Sequence, residues 1–188
     1  MPPPPHRELR KLVRKLGVAV RPTEQKNAVA TLAELCRDPD NHAVIAAAGA
    51  ILDLVVLLGP VFQADVQRDA AAALWSLAID DDIEVAIAAA DAIPPLMRLL
   101  GPASSVDVQY NAAGALMNLA YSTDNMIEIA AAGAIPPLVQ LLGPASSADM
   151  QFNAAGALWK LSGNADNQVT IAAAGAIPPL VQLLGPGT

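Results

Sequence analysis

The stretch that decides the fold is Asp166-Asn-Gln-Val-Thr-Ile-Ala-Ala-Ala-Gly175-Ala-Ile-Pro-Pro-Leu-Val-Gln-Leu-Leu184, in which two short apolar segments meet at a glycine. Nearly the same letters run from Asp124 to Leu142, 42 residues earlier. Glycines recur at this spacing along the whole sequence without a gap: Gly17, Gly59, Gly101, Gly143 and Gly185. A fixed period of this length indicates a repeat architecture in which each unit packs against the next.

Each unit reads as three helices. Asp124 is the predicted N-cap of a short first helix, and Gly133 allows the left-handed backbone that ends it. Pro136 and Pro137 predict the first turn of a second helix, because the backbone amides of that turn have no helical acceptor. A third and longer helix is predicted over 149–162, which has no proline and a spaced Leu and Trp pattern.

One unit of this size cannot bury its apolar face alone, so the sequence predicts an all-α solenoid of stacked 42-residue units. We expect one domain over residues 1–188, with partial units at 7–38 and 165–188 and complete units at 39–80, 81–122 and 123–164. In the first unit, basic residues alternate with Leu9, Leu12, Val13 and Leu16, which predicts a capping helix. A basic amphipathic helix also suits a membrane surface or a targeting signal, and the pattern leaves that alternative open.

The segments Asn153-Ala-Ala-Gly-Ala-Leu-Trp-Lys-Leu-Ser162 and 166–184 closely resemble the armadillo repeat of the β-catenin and importin-α type. The resemblance extends from about residue 7 to residue 185, and units three and four are alike enough to suit a fragment of a longer array or a consensus-like array. It implies a right-handed superhelix whose third helices line a concave groove. It also implies a binding scaffold that holds an extended peptide with a row of asparagines, here called the ladder.

Two polar rows follow from this resemblance. Aligned on Leu-x-Asn-Leu, the ladder positions hold Glu34, Ser76, Asn118 and Lys160. Seven residues earlier, on the same face of each third helix, stand Asn27, Asp69, Asn111 and Asn153. An amide offers a donor and an acceptor to one peptide unit, so we expect both rows to bind the peptide. Because we expect these amides to face solvent, alanine at Asn111, Asn118 and Asn153 should leave stability nearly intact.

Small residues stand four positions before the ladder, where importin-α has a tryptophan that stacks on lysine stems: Ala30, Ala72, Gly114 and Gly156. The resemblance therefore predicts a small, open groove floor and argues against recognition of nuclear-import signals. Trp75 and Trp159 lie on one flank of their helices. We expect them to pack between neighbouring third helices rather than to form a hot spot for a partner.

Charge favours a protein or peptide partner. The formal net charge is −7, and residues 38–188 carry fifteen Asp and Glu against three Lys and Arg, so most of the chain repels nucleic acid. Glu34 and Asp69 favour a basic, extended segment, and Lys160 opposes it locally. No apolar run reaches the roughly 18 residues of a membrane span. We expect no membrane partner and a cytoplasmic, or else nuclear, protein.

The chemistry-bearing residues predict no enzyme, no cofactor and no metal site. Cys36 is the single cysteine and only two histidines are present, so no zinc-ligand spacing occurs. The acidic run at 80–84 lacks the ligand alternation and central glycine of a calcium loop, which leaves Asp82 as a helix cap. Phosphate-binding and nucleophile motifs are absent from the sequence.

A second function class is a structural array that associates with itself. The last helix carries an apolar stripe with no third helix after it: Ile177, Leu180, Val181 and Leu184. Covering such a stripe favours association. Two geometries are open, a tail-to-tail homodimer and head-to-tail stacking of the basic first unit on the acidic end.

Overall fold

The computed structural model describes residues 6–17 and 20–185, and within them all regular structure is helical, as the sequence predicts. The termini 1–5 and 186–188, which the predicted domain includes, and residues 18–19 lie outside the described residues. The helices are α1 (His6–Arg14), α2 (Pro22–Leu35), α3 (His42–Ala47), α4 (Ala50–Leu57), α5 (Ala64–Leu77), α6 (Asp81–Ala89), α7 (Ile93–Leu99), α8 (Val106–Leu119), α9 (Thr123–Ala131), α10 (Ile135–Gln140), α11 (Ala148–Leu161), α12 (Ala165–Ala173) and α13 (Ile177–Leu183). A single 3-10 turn, Pro39–Asn41, precedes α3.

The helices fall into five repeats that stack in chain order. Repeat 1 is α1 and α2, repeats 2 to 4 are the triplets that begin at α3, α6 and α9, and repeat 5 is α12 and α13. The 14-residue third helices α2, α5, α8 and α11 each pack on the next. A buried leucine recurs every 42 residues in the third helices: Leu32, Leu74, Leu116 and Leu158. Burial of a continuous aliphatic core between repeats stabilises a solenoid whose single repeats lack a core.

The first helices α6 and α9 begin two residues earlier than the sequence suggests. Ser122, not Asp124, caps α9, because its hydroxyl accepts a hydrogen bond from the amide of Asn125. Asp80, not Asp82, caps α6 by accepting from the amides of residues 82 and 83. A cap needs extended backbone with its oxygen aimed at the first free amides, whereas residues 82 and 124 already lie in the first helical turn. In the first turn the carboxylates of Asp82 and Asp124 interact favourably with the positive end of the helix dipole.

The junction between first and second helices needs a left-handed residue. Gly49, Gly133 and Gly175 have φ of 83°, 84° and 79°, as the sequence predicts, and Asp91 takes the same place with φ of 58°. Aspartate tolerates this region better than most side chains. The left-handed residue turns the chain, so that each second helix runs across the first helix of its repeat.

A glutamine row, which sequence reasoning missed, ties each third helix to the end of the second helix before it. The Nε2 atom of Gln67 donates to the carbonyls of Leu58 and Gly59 at 3.4 and 2.8 Å. The residues that repeat this bond are Gln25, Gln109 and Gln151. These bonds satisfy carbonyls that the helix end leaves free and fix the direction of the third helix. Their 42-residue spacing was visible in the sequence.

The first helix covers the beginning of the core. Leu9, Val13 and Leu16 are buried and Leu12 is half-buried, while the basic residues between them are exposed. This is the arrangement of a capping helix, with a polar outer face.

No single described helix is long and apolar enough to cross a membrane. One pair, Pro39–Ala47 with Ala50–Leu57, meets the length and composition criteria jointly, but the two segments are bent by 93°. Ile45, Leu54 and Leu57 of this pair are fully buried in the core between repeats.

Candidate functional site

Neighbouring third helices interlock through one large and one small residue. The indole of Trp75 in α5 lies over Gly114 of α8, where an added Cβ would stand 2.5 Å from ring atoms. Met117 of α8 stands in the same relation to Gly156 of α11, with an added Cβ 2.5 Å from its sulfur. The predicted small and open floor is therefore wrong at these two positions, because the preceding repeat fills the space over each glycine.

The two tryptophans differ in their surroundings. Trp75 is half-buried and meets Tyr110 edge to face, with 5.2 Å between ring centroids, so the predicted packing role is confirmed for it. Trp159 is 70% exposed and Phe152 is 71% exposed, so the prediction is wrong for Trp159. The packing of Trp75 depends on the glycine 39 residues later, Gly114.

The proximal groove is a cavity of about 430 Å³ that crosses α2, α5 and α8. Its lining residues are Ala30, Ala33, Glu34, Arg37, Arg68, Asp69, Ala72, Trp75, Ser76, Tyr110 and Asn111. Both carboxylates have arginine partners, since Glu34 pairs with Arg37 at 3.3 Å and Asp69 with Arg68 at 2.7 Å. The charges of the proximal groove therefore cancel, which weakens the sequence argument for a basic ligand.

The distal groove is a second cavity, of about 490 Å³, between α8 and α11. Its lining residues are Met117, Asn118, Phe152, Ala155, Gly156, Trp159 and Lys160. The Lys160 ammonium lies 4.2 Å from the ring centroid of Tyr121 and 5.1 Å from that of Trp159. Aromatic faces attract a cation at these distances and hold the ammonium in place.

Six of the eight predicted peptide-binding residues line these two cavities. Glu34, Asp69, Ser76 and Asn111 line the proximal groove, and Asn118 and Lys160 line the distal groove. Asn27 is exposed but lines neither cavity. Asn153 also lines neither cavity.

The amides of the two rows are engaged differently. Asn153 is only 2% exposed and its Nδ2 donates to the carbonyl of Tyr110 at 3.3 Å, so the expectation of a solvent-facing groove amide is wrong there. The close approach of α8 and α11 buries this position. Asn118 is half-buried and donates to the carbonyl of Trp75 at 2.9 Å, which leaves its side-chain oxygen free of protein partners among the described residues. Asn111 donates to the carbonyl of Asp107 in its own helix at 2.7 Å.

An ion pair between Lys26 of α2 and Asp65 of α5 joins the first two third helices. The hydrogen bond from Lys26 is the main reason that the pKa of Asp65 lies below its ordinary value. Lys26 lies in the second turn of α2 and Asp65 in the first turn of α5, so the pair links the N-terminal parts of these two helices.

Comparison with known families and solved structures shows which proteins this chain is similar to. The profile of the Armadillo/beta-catenin-like repeat matches residues 80–121 and 122–163. The structure of a designed armadillo repeat protein, YIII(Dq)4CqI, is 30% identical in sequence and superposes with a TM-score of 0.85, covering 96% of this chain and 76% of that one. The chain belongs to the armadillo repeat family. Computationally designed armadillo repeat proteins for modular peptide recognition are also similar, at 30% identity and a TM-score of 0.85 over 96% of this chain and 76% of theirs.

A further armadillo relative was solved with a ligand. The designed armadillo repeat protein YIII(Dq.V1)4CPAF, in complex with the peptide (KR)4, is 29% identical, with a TM-score of 0.83 over 96% of this chain and 75% of that one. No curated protein sequence matches the chain.

Residues that the sequence did not assign to binding complete the armadillo groove here. Arg37, Tyr110 and Phe152 line the cavities, and Trp75 supplies an aromatic wall from the repeat before. The recurring spacing of 39 residues between Trp75 and Gly114, and between Met117 and Gly156, was the available signal. It is shorter than the repeat, which places a large side chain of one repeat against the groove position of the next.

Proposed function

We propose that this armadillo protein is a protein interaction scaffold that binds an extended peptide or partner segment across its third helices. The observation that carries the proposal is that the proximal and distal grooves together cross all four third helices, α2, α5, α8 and α11. Asn118 supports it further, because its free side-chain oxygen can accept from a peptide amide. The complex of a similar designed protein with (KR)4 also favours a peptide ligand. We propose binding rather than catalysis.

A local preference for basic residues is part of this proposal. The pair of Glu34 with Arg37 is exposed on both sides, and such surface pairs contribute only about 0 to 1 kcal/mol. A lysine or arginine of the ligand can therefore exchange with Arg37 at little cost. We assign the basic preference to the proximal groove alone.

The experiment is a titration of fluorescein-labelled (KR)4 and of a panel of unrelated 12-residue peptides, read by fluorescence anisotropy. The double variant Asn111→Ala with Asn118→Ala should weaken the binding of any ligand found by about 1 to 3 kcal/mol through lost hydrogen bonds. Gln140→Ala is the matched control, since Gln140 is an exposed amide on a second helix outside both grooves. Equal affinity in all three proteins would move the binding site away from the grooves.

A second candidate function is self-association through the carboxyl-terminal helix. Ile177, Val181 and Leu184 are 60%, 57% and 87% exposed, while Leu180 is half-buried against the core. We propose a tail-to-tail homodimer as the form of this association, because an apolar patch of one copy suits the same patch of another. Light scattering tests it: Val181→Ser with Leu184→Ser should give a monomer, and salt-sensitive polymers would support head-to-tail stacking instead.

The cytoplasmic or nuclear location stays a prediction. Imaging of a fluorescent fusion of the chain tests it directly.

A further inference from the structure

At the distal groove Met117 stands where the repeat before has Trp75, which lines the proximal groove. At the preceding junction, the indole of Trp75 covers Gly114. At the distal junction Met117 covers Gly156 and also lines the cavity of about 490 Å³. Phe152 and Trp159 border it with largely exposed rings. A concave surface with mainly apolar walls is suited to receive a large apolar side chain.

Lys160 adds a fixed charge at the end of this cavity. Its ammonium is held between the rings of Tyr121 and Trp159. The ion pairs among the described residues involve Lys11, Arg21, Lys26, Arg37 and Arg68 as cations, and Lys160 is not one of them. The rings position the charge without neutralising it, so a carboxylate of a ligand can still pair with it.

We propose that the distal groove is a specificity site for a large apolar residue adjacent to an aspartate or glutamate in the bound segment. The inference rests on the proposed function and names the chemistry of part of its ligand. The apolar side chain enters the cavity where Met117, Phe152 and Trp159 line it, and the carboxylate pairs with Lys160. Burial of a large apolar side chain and pairing with a half-buried ammonium both favour this ligand over a uniformly basic one.

The spacing of the two subsites suits neighbouring residues. Gly156 and Lys160 lie about one helical turn apart along α11. A segment that continues from the proximal groove crosses α11 rather than running along it. Consecutive side chains of an extended chain point to opposite sides, so one reaches towards Gly156 and its neighbour towards Lys160. Because the segment passes across the helix, its carboxylate belongs to a side chain.

The experiment uses four fluorescein-labelled 12-residue peptides in a common Gly-Ser host, with the central pairs Phe-Asp, Phe-Lys, Ser-Asp and Ser-Lys. Anisotropy titration should show tightest binding for Phe-Asp. Loss of the aromatic ring should weaken binding by about tenfold, and replacement of the carboxylate by an amine should also weaken it by about tenfold. Equal affinity for the four peptides would overturn the inference and leave the proposed function standing.

Protein variants test the two subsites separately. Lys160→Glu should reverse the preference to Phe-Lys, and the milder Lys160→Met should abolish discrimination between Asp and Lys. Met117→Trp places a bulkier side chain in the wall of the cavity, should narrow it, and should weaken the preference for Phe. Arg98→Glu is the matched control, because Arg98 is an exposed cation on α7 outside both grooves.

The outcomes separate the two claims. A preference for Phe-Asp that persists in Lys160→Met, with helicity unchanged by circular dichroism, overturns the inference. If Arg98→Glu reverses the preference from Phe-Asp to Phe-Lys as Lys160→Glu does, the inference is also overturned, because the net charge of the protein would then explain the preference. Failure of the wild-type protein to bind these peptides, (KR)4 and the wider panel contradicts the proposed function and the inference together.

Discussion

Glu84 Oε1 accepts a hydrogen bond from Asn125 Nδ2 at 2.8 Å and so joins the first helices of repeats 3 and 4. The same oxygen accepts from the amide of Ser122 at 3.2 Å, and Glu84 is only 3% exposed. At the following junction the equivalent amide, Asn167, donates instead to the backbone carbonyl of Met126 at 3.2 Å. The Glu84 carboxylate therefore accepts, at the junction of repeats 3 and 4, the asparagine hydrogen bond that a backbone carbonyl accepts at the junction of repeats 4 and 5.

Replacing this carboxylate should destabilise the solenoid. Glu84→Ala leaves two donors without their acceptor and should cost about 2 to 3 kcal/mol, measured by urea unfolding. Glu84→Gln keeps an acceptor oxygen and should cost less. Glu128→Ala, at an exposed glutamate of α9, is the control and should change stability by less than about 0.5 kcal/mol. Equal effects of the two alanine variants would contradict the junction role of Glu84.

Two glycine positions should respond unequally to alanine. Gly114→Ala drives a methyl group into the rigid indole of Trp75 and should cost about 1 to 3 kcal/mol. Gly156→Ala meets Met117, a flexible side chain that can move, and alanine also favours the helix by about 1 kcal/mol. We expect little net change there. Urea unfolding of both variants checks the difference, and Trp75→Met should restore the stability lost in Gly114→Ala.

Cys36 should make stability depend on pH only in alkaline solution. Burial raises the pKa of its thiol from 9.0 to about 12. The unfolded chain loses the thiol proton above pH 9, whereas the folded chain keeps it to about pH 12, so unfolding becomes easier as the pH rises through this window. Below pH 9 the contribution of the thiol is constant.

The control for this prediction is built into the repeats. Ala78 and Ala120 occupy the place of Cys36 in the next two repeats, so Cys36→Ala should fold and should lose that part of the alkaline slope. Ellman's reagent at pH 8 should modify the native wild-type protein only slowly, because the thiol is buried and protonated. Rapid modification without denaturant would show that the thiol is accessible.

The repeat made the helices predictable from the sequence. The packing of a large side chain of one third helix on a glycine of the next was harder to predict. The roles of Gly133 and of the prolines in the second helices can be predicted from residue type alone. Trp75 over Gly114 depends on a relation of 39 residues, which a search for the 42-residue period passes over. The exposure of a third-helix residue depends on how closely the next helix approaches, and that distance is set by packing. For this reason the sequence placed Asn111 and Asn153 in one row and predicted the same environment for both, which is wrong for Asn153.

Replacing Asn111 and Asn153 one at a time should therefore have different effects on stability and on peptide binding. Asn153→Ala removes a buried donor and leaves the carbonyl of Tyr110 without this partner, so it should cost about 1 to 3 kcal/mol in urea unfolding. Asn111→Ala breaks a bond within its own helix at a half-buried site and should change stability by about 0.5 kcal/mol or less. Any peptide ligand should respond in the opposite sense, because Asn111 lines the proximal groove and Asn153 does not. Anisotropy titration under conditions where both variants are fully folded checks this. If Asn153→Ala is stable and binds weakly, Asn153 faces the groove and the contact with Tyr110 is secondary.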